Sequence, residues 1–366
     1  MTSERPDVDA LVAEAVDAGG PTVDELLAAG PDDVAAPTAV SYAKNVFLPL
    51  TTACVNSCDY CAFYDDPGEV DTMTPGDVRD VVDRGVATGC TEALFSFGTR
   101  PEGHDAVRRR LDAMGHDDVI DYLAECCELA LDRGLLPHTN AGLLSRDELA
   151  RLREVNASMG LMLETTADVP AHQDWATKKP ERRLRHIDDA GALGIPFTTG
   201  FLIGLGETWE DRAEAILAVR ALHERHGHVQ EVIVQNVVPN ERSDYERPST
   251  ATMRRAVAMA RAGLPDEVSV QVPPNLTPNV PELVDAGVDD LGGVSPVTDD
   301  HVNPDYAWPA LDELRATAEE AGVALEERLP VYERYVGDED WMAPRVGATI
   351  EGHEALADVL ERTPPA

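Results

Sequence analysis

The stretch Val46-Phe47-Leu48-Pro49-Leu50-Thr51-Thr52-Ala53-Cys54-Val55-Asn56-Ser57-Cys58-Asp59-Tyr60-Cys61 runs from an apolar strand pattern directly into three cysteines spaced C-x3-C-x2-C. A loop that follows a strand lies at that strand's carboxyl end, where α/β folds place their chemistry. Three thiolates from one short loop can hold three corners of a 4Fe–4S cubane, which leaves the fourth iron open to bind a small molecule. A structural zinc site is the competing reading of Cys54, Cys58 and Cys61, and it needs a fourth ligand. Cys90, Cys126 and Cys127 are the other cysteines. The vicinal pair lies in a helical pattern (Tyr122, Leu123, Cys126, Cys127, Ala130), where buried cysteines act as small hydrophobes.

Outward from this loop the chain alternates apolar runs with helical patterns. Strand candidates are Val46–Leu50, Glu92–Phe97, Leu135–Thr139, Ser158–Glu164, Ile195–Phe201, Glu231–Asn236, Val268–Pro273 and Val288–Gly292. Helix starts are written at Thr74-Pro75-Gly76-Asp77, Ser145–Glu148 and Thr208–Asp211, each a capping residue followed three positions later by an acid. Eight β-then-α units over about 250 residues match a (β/α)8 TIM-type barrel, closed or partly open. A doubly wound sheet shares the alternation. Residues 1–40 read as an acidic helical lead-in, 41–303 as the barrel domain, and 304–366 as a C-terminal cap that is not an independent domain.

The 366 residues include 68 acidic and 30 basic side chains, a formal net charge of −38. Such a balance excludes a general nucleic-acid binder, which needs a basic face, and disfavours anionic membranes. The hydrophobic fraction of 43% is that of a folded globule. Acids spread along the whole length, and only three lysines occur, Lys44, Lys178 and Lys179. This is the pattern of a cytoplasmic protein from a halophile, where salt screens self-repulsion. The opening MTSERPDVDA shows no basic or apolar signal region, and no stretch reaches the ~20 apolar residues of a membrane span.

The cysteine spacing, with Tyr60 before the last cysteine and Ala62-Phe63 after it, resembles the radical S-adenosylmethionine (SAM) superfamily. In that superfamily a 4Fe–4S cluster binds SAM through its open iron and cleaves it to a hydrogen-abstracting radical. Gly200-Phe201-Leu202-Ile203-Gly204-Leu205-Gly206-Glu207 resembles the superfamily's G-x-I-x-G-x-x-E element along the adenine, with Leu202 in the Ile place. It is not a G-x-G-x-x-G fingerprint, since the sixth position counted from Gly204 is Trp209. Glu164 ends an apolar strand pattern, and Arg183 follows 19 residues later. The resemblance implies SAM contacts from Tyr60, Glu164, Arg183, Gly200, Gly204 and Glu207. Where much of the superfamily has Gly-Gly-Glu, this chain has Gly98-Thr99-Arg100-Pro101-Glu102, so Glu102 or backbone carbonyls are the candidates for the SAM amino group.

Further stretches are similar to the CofG family, the 7,8-didemethyl-8-hydroxy-5-deazariboflavin synthases. They include Glu92–Glu102, Gly134–Asn140, Gln230–Asn236, Pro273-Pro274-Asn275-Leu276 and Asp290–Thr298. The resemblance implies a radical SAM lyase acting on 5-amino-5-(4-hydroxybenzyl)-6-(D-ribitylimino)-5,6-dihydrouracil. The ribityl-bearing nitrogen closes onto the phenol ring and ammonia leaves. It also implies a CofH-type partner that supplies this small-molecule substrate, and a one-electron donor. Gln235, Asn236 and Asn275 offer amide donors and acceptors to a uracil edge, and His138 and Asn140 suit the phenol or the ribityl chain. The tyrosine-cleaving CofH type, another biotin-synthase-like enzyme, and an acidic scaffold with structural zinc are the alternatives.

Overall fold

The computed structural model describes residues 7–173 and 175–362. The first six residues of the stretch read for a targeting signal, and residues 363–366 of the C-terminal segment, lie outside it. The first strand, β1 (Ala39–Thr51), is the longest and carries the ring. It is followed by β2 (Glu92–Phe97), β3 (Leu136–Asn140), β4 (Ser158–Gly160), β5 (Phe197–Ile203), β6 (Val229–Asn236), β7 (Ser269–Gln271) and β8 (Asp290–Val294). Neighbours pair in parallel from β2 to β8, and β1 pairs with both β8 and β2, so the eight-stranded barrel is closed rather than partly open.

β5 shows why the elements form where they do. Phe-Thr-Thr-Gly-Phe-Leu-Ile is buried throughout, as a parallel strand covered on both faces requires. A Cβ on Gly200 would stand 2.3 Å from the Ile233 carbonyl oxygen, so only glycine allows β5 and β6 to approach there. The three helix starts form full capping boxes at Thr74, Ser145 and Thr208. The last of them opens the helix Trp209–His226, against which the N-terminal helices Val8–Asp17 and Val23–Ala28 pack. Leu11, Ala15 and Leu26 are their buried anchors. No helix among the described residues is long and apolar enough to cross a membrane.

Two strands are shorter than their apolar runs. β4 stops at Gly160, because Leu161–Glu164 leaves the regular ladder: Leu161 N–H still donates to the Thr198 carbonyl, Leu163 N–H turns to the Thr199 hydroxyl, and Glu164 meets β5 through an isolated bridge with Phe201. β7 stops at Gln271, just before Pro273-Pro274, which have no N–H to continue a ladder. A ninth strand, β9 (Ala324–Arg328), has no counterpart among the strand candidates. It pairs in parallel with Ala39–Ala43, the first part of β1, and leads into a segment that crosses the amino-terminal end of the barrel. There the Pro330 carbonyl accepts from Ser158 Oγ at 2.6 Å and Gln230 Nε2 at 3.0 Å.

Candidate active site

A cavity of about 360 Å³ runs down the barrel from the carboxyl ends of the strands. The cysteine loop forms part of its mouth because β1 loses its regular register between Pro49 and Thr51. Beyond that break Val55 N–H donates to the Thr99 carbonyl at 3.1 Å, and Asn56 N–H donates to Cys54 Sγ at 3.4 Å. Gly98 lets β2 close against this loop, since a Cβ there would meet Cys54 Cβ at 2.3 Å. Cys54, Cys58 and Cys61 all line the cavity, and none is in a disulfide. Burial pushes all three thiols up, while the charge of Lys178 pulls each of them down. Cys90 donates to the Asn45 carbonyl, and Cys127 packs against Thr139 and Asn156, so neither comes to the mouth. Cys126 is buried in the helix Val119–Asp132. Among the described residues no three His, Cys, Asp or Glu side chains form a site for a single metal ion. Three unpaired sulfur donors from one loop at a cavity mouth fit three corners of an iron–sulfur cluster.

Beside the cysteines, Glu164 is the hub of a buried charge network. Tyr60 donates to its Oε2 at 2.7 Å and His172 Nε2 bonds the same oxygen at 3.0 Å. Lys178 Nζ and Arg183 Nη2 reach Oε1 at 2.6 and 3.2 Å. Burial alone would raise this carboxyl, but the Arg183 and Lys178 charges, with His172, hold it well below the usual carboxylate range. Its backbone sits at φ 71°, a conformation that non-glycine residues avoid and that the four contacts hold in place. Arg183 also donates to the Met162 carbonyl, which fixes the bend after β4.

The other candidate residues divide. Gln235 and Asn140 line the cavity and make no side-chain hydrogen bond among the described residues. Asn275 lines it with a buried, unpartnered Oδ1, its Nδ2 being held by Asp300 and the Tyr306 carbonyl. Asn236 is committed to its surroundings: Nδ2 donates to the Val237 and Leu276 carbonyls, and Oδ1 accepts from Thr277. Glu207 does not face the cavity. Its carboxylate accepts from the Gly204 and Leu205 N–H groups and pairs with Arg212, so it closes its own loop. Glu102 likewise turns away, towards Arg100 at 3.8 Å, whereas Gly98 and Thr99 of the same element do line the cavity. Gly200 and Gly204 act through close backbone approach, with Leu202 between them forming the wall.

Sequence reasoning missed Lys178 and His172, which lie in a connection of short 3-10 turns between β4 and β5. The scarcity of lysine was the one available signal for Lys178. It also missed the barrel floor. There Arg328, at the end of β9, pairs with Glu231 at 2.5 Å and Asp290 at 2.6 Å, and Tyr332 bonds both acids.

A closed parallel barrel with three cysteines on the loop after its first strand defines a radical SAM protein, and the sequence model described as the radical SAM superfamily matches residues 48–219. Superfamily membership implies use of SAM and an iron–sulfur centre. The chain is 56% identical over 352 residues to a protein of Halobacterium salinarum named 7,8-didemethyl-8-hydroxy-5-deazariboflavin synthase, with 94% of each chain covered. A protein of the same name from Haloarcula marismortui is 53% identical over 345 residues, covering 94% of this chain and 93% of that one. The chain belongs to the family of 7,8-didemethyl-8-hydroxy-5-deazariboflavin synthases. In fold it is similar to the FeFe-hydrogenase maturase HydG from Carboxydothermus hydrogenoformans, with a TM-score of 0.66 at 17% identity over 99% of this chain and 88% of that one.

Proposed function

We propose that this chain forms 7,8-didemethyl-8-hydroxy-5-deazariboflavin from 5-amino-5-(4-hydroxybenzyl)-6-(D-ribitylimino)-5,6-dihydrouracil, with release of ammonia. The observation that carries this reading is the 56% identity to a synthase of that name across 94% of the chain. Cys54, Cys58 and Cys61 would hold a 4Fe–4S cluster, which together with SAM would supply hydrogen abstraction when bound. The residues beside it provide the charge that SAM requires. Lys178 and Arg183 together bring two positive charges to the single negative charge of Glu164. The surplus suits the carboxylate of an amino acid moiety, and the arginine fork suits its geometry. Tyr60 is held by Glu164 at the mouth, and Leu202 forms an apolar wall for the adenine. Gln235, Asn140 and Asn275 Oδ1 are free polar groups on the cavity wall that orient the substrate.

A CofH-type partner supplies the substrate, and a one-electron donor supplies the reducing equivalent. Residues 41–303 form the barrel domain, with 1–40 as a lead-in and 304–366 as a cap that is not an independent domain and that lends Arg328 and Tyr332 to the barrel floor, and the protein works in the cytoplasm. The test is anaerobic reconstitution followed by incubation with the dihydrouracil substrate, free tyrosine, SAM and dithionite. Fluorescent deazaflavin, methionine and 5′-deoxyadenosine are expected, with free tyrosine left unconsumed. Consumption of tyrosine without deazaflavin formation would overturn the reading. In Gln235→Ala, 5′-deoxyadenosine should exceed deazaflavin, because hydrogen transfer needs atoms held about 3–3.5 Å apart. Arg183→Ala should instead lose SAM binding.

A further inference from the structure

The cavity does not end at the SAM network. It continues down the barrel axis to a polar floor that neither the cluster loop nor the SAM residues use. Most of that floor is satisfied internally. Arg328 is saturated by Asp290, Glu231 and the Leu329 carbonyl, and Glu231 also accepts from Thr198 at 2.7 Å. Several lining side chains are not satisfied, Gln271 and Ser96 among them, and two of these are titratable. Glu92, only 6% exposed, lines the cavity and makes no side-chain hydrogen bond among the described residues. Burial pushes its carboxyl up to about 8, since Arg328 already faces Glu231 and Asp290, so Glu92 is a neutral acid at pH 7 with an O–H to donate.

His138, 8% exposed, is the second. Its Nδ1 lies 2.6 Å from Ser158 Oγ, which itself lies 2.6 Å from the Pro330 carbonyl oxygen. The serine has one proton, and two oxygens at that separation require it between them. His138 Nδ1–H therefore donates to the serine, and Nε2 is left as a bare acceptor on the cavity side. Gly160 makes room for it, since a Cβ there would stand 3.1 Å from Nε2. Burial pushes this imidazole down to about 3, so the acceptor persists at neutral pH.

We propose that the cavity floor is a polyol subsite that takes the ribityl arm of the substrate, His138 Nε2 accepting from one hydroxyl and the Glu92 carboxyl donating to another. The inference rests on the function proposed above and extends it to a site. Leu94 of β2 is in register with His138 of β3, so Glu92 lies two residues lower and the free groups are offset by about 6–7 Å along the strands. That offset suits an extended five-carbon chain. The uracil and phenol rings form the two ends of the flat tricycle, whereas the ribityl group hangs from the nitrogen of its central ring. With the tricycle across the mouth, the ribityl group is the arm that can descend the barrel axis. A flat imide edge needs its partners in one plane, but these come from different strands and levels.

The test is fluorescence titration of the reconstituted holoenzyme with 8-hydroxy-5-deazaflavin carrying either ribityl or methyl on its central-ring nitrogen. Wild type should bind the ribityl compound at least about tenfold more tightly, the equivalent of one to two hydrogen bonds. Glu92→Leu and His138→Phe should reduce that ratio towards one while leaving affinity for the methyl compound unchanged. Glu92→Gln, which keeps a donor, should retain the preference. Equal affinities in a wild-type enzyme that forms product would overturn the subsite and leave the function standing. A chain that forms no product and binds neither compound would overturn both.

Discussion

A thiol buried among apolar groups is held in its neutral form, and a metal that binds thiolate reverses that cost. Cys54, Cys58 and Cys61 are therefore expected to matter equally. Replacing any one by alanine should lower iron from about four per chain to a small residue, because two thiolates hold a cubane weakly. Cys126→Ala should leave iron unchanged, since that thiol is buried in a helix away from the mouth. Iron and sulfide analysis after anaerobic reconstitution checks both, and a full complement in Cys58→Ala would remove the cluster from this loop. Glu92 permits a second prediction, in pH. Its folded value of about 8 lies above the 4.5 of an unfolded chain, so its contribution is complete below pH 4.5 and lost as pH rises through 8. Between about pH 6 and 9 wild type should lose about 2 kcal/mol more stability than Glu92→Gln in urea titrations at fixed salt. Equal losses would mean that Glu92 is not held neutral. The candidate residues that the sequence grouped and the fold brings together at the cavity mouth were those joined by short spacing, as in C-x3-C-x2-C. Of the Glu164 network, Tyr60, Glu164 and Arg183 were named from the sequence, whereas Lys178, His172 and the floor were not legible, because Lys178 and Arg328 reach their partners only through the folded ring.

Most elements were legible because local and tertiary signals agree. β2 reads Glu-Ala-Leu-Phe-Ser-Phe and is a strand over that whole run, and each capping box begins a helix. β9 was not legible. It reads Ala-Leu-Glu-Glu-Arg, largely exposed, with no alternating apolar pattern, and it exists because the first part of β1 offers a free edge. Its last residue is the one that enters the barrel. Arg328 is the cation that offsets Glu231 and Asp290, and removing one partner of a buried ion pair leaves the others uncompensated. Arg328→Met should cost about 3–5 kcal/mol in urea unfolding. A loss below about 1 kcal/mol, the range of an exposed pair, would show that β9 merely covers the barrel.

At the scale of the whole molecule the acidic charge and the barrel are separate properties. The barrel follows from apolar runs that face inward, and the excess of acids lies on surfaces that the runs leave to solvent. With 68 acids against 30 bases, many carboxylates have only one another as neighbours, and the compact state brings them closer than the unfolded chain does. Salt relieves this by shortening the screening length from about 10 Å at 0.1 M to about 3 Å at 1 M. The melting temperature should therefore rise steadily over that range in potassium chloride and level off above it, where screening is nearly complete. Preferential exclusion of a cosolute also stabilises compact states, so the control is sucrose, which is excluded from the surface without screening charge. If screening is the cause, sucrose at matched osmolality should give a much smaller rise than potassium chloride. Neutralising substitutions on the surface, Asp or Glu to Asn or Gln, should flatten the salt dependence without moving the SAM affinity. A melting temperature independent of potassium chloride, or matched by sucrose, would detach the acidic composition from stability. In that case the charge would have to be explained by solubility alone, a property measured by precipitation rather than by unfolding.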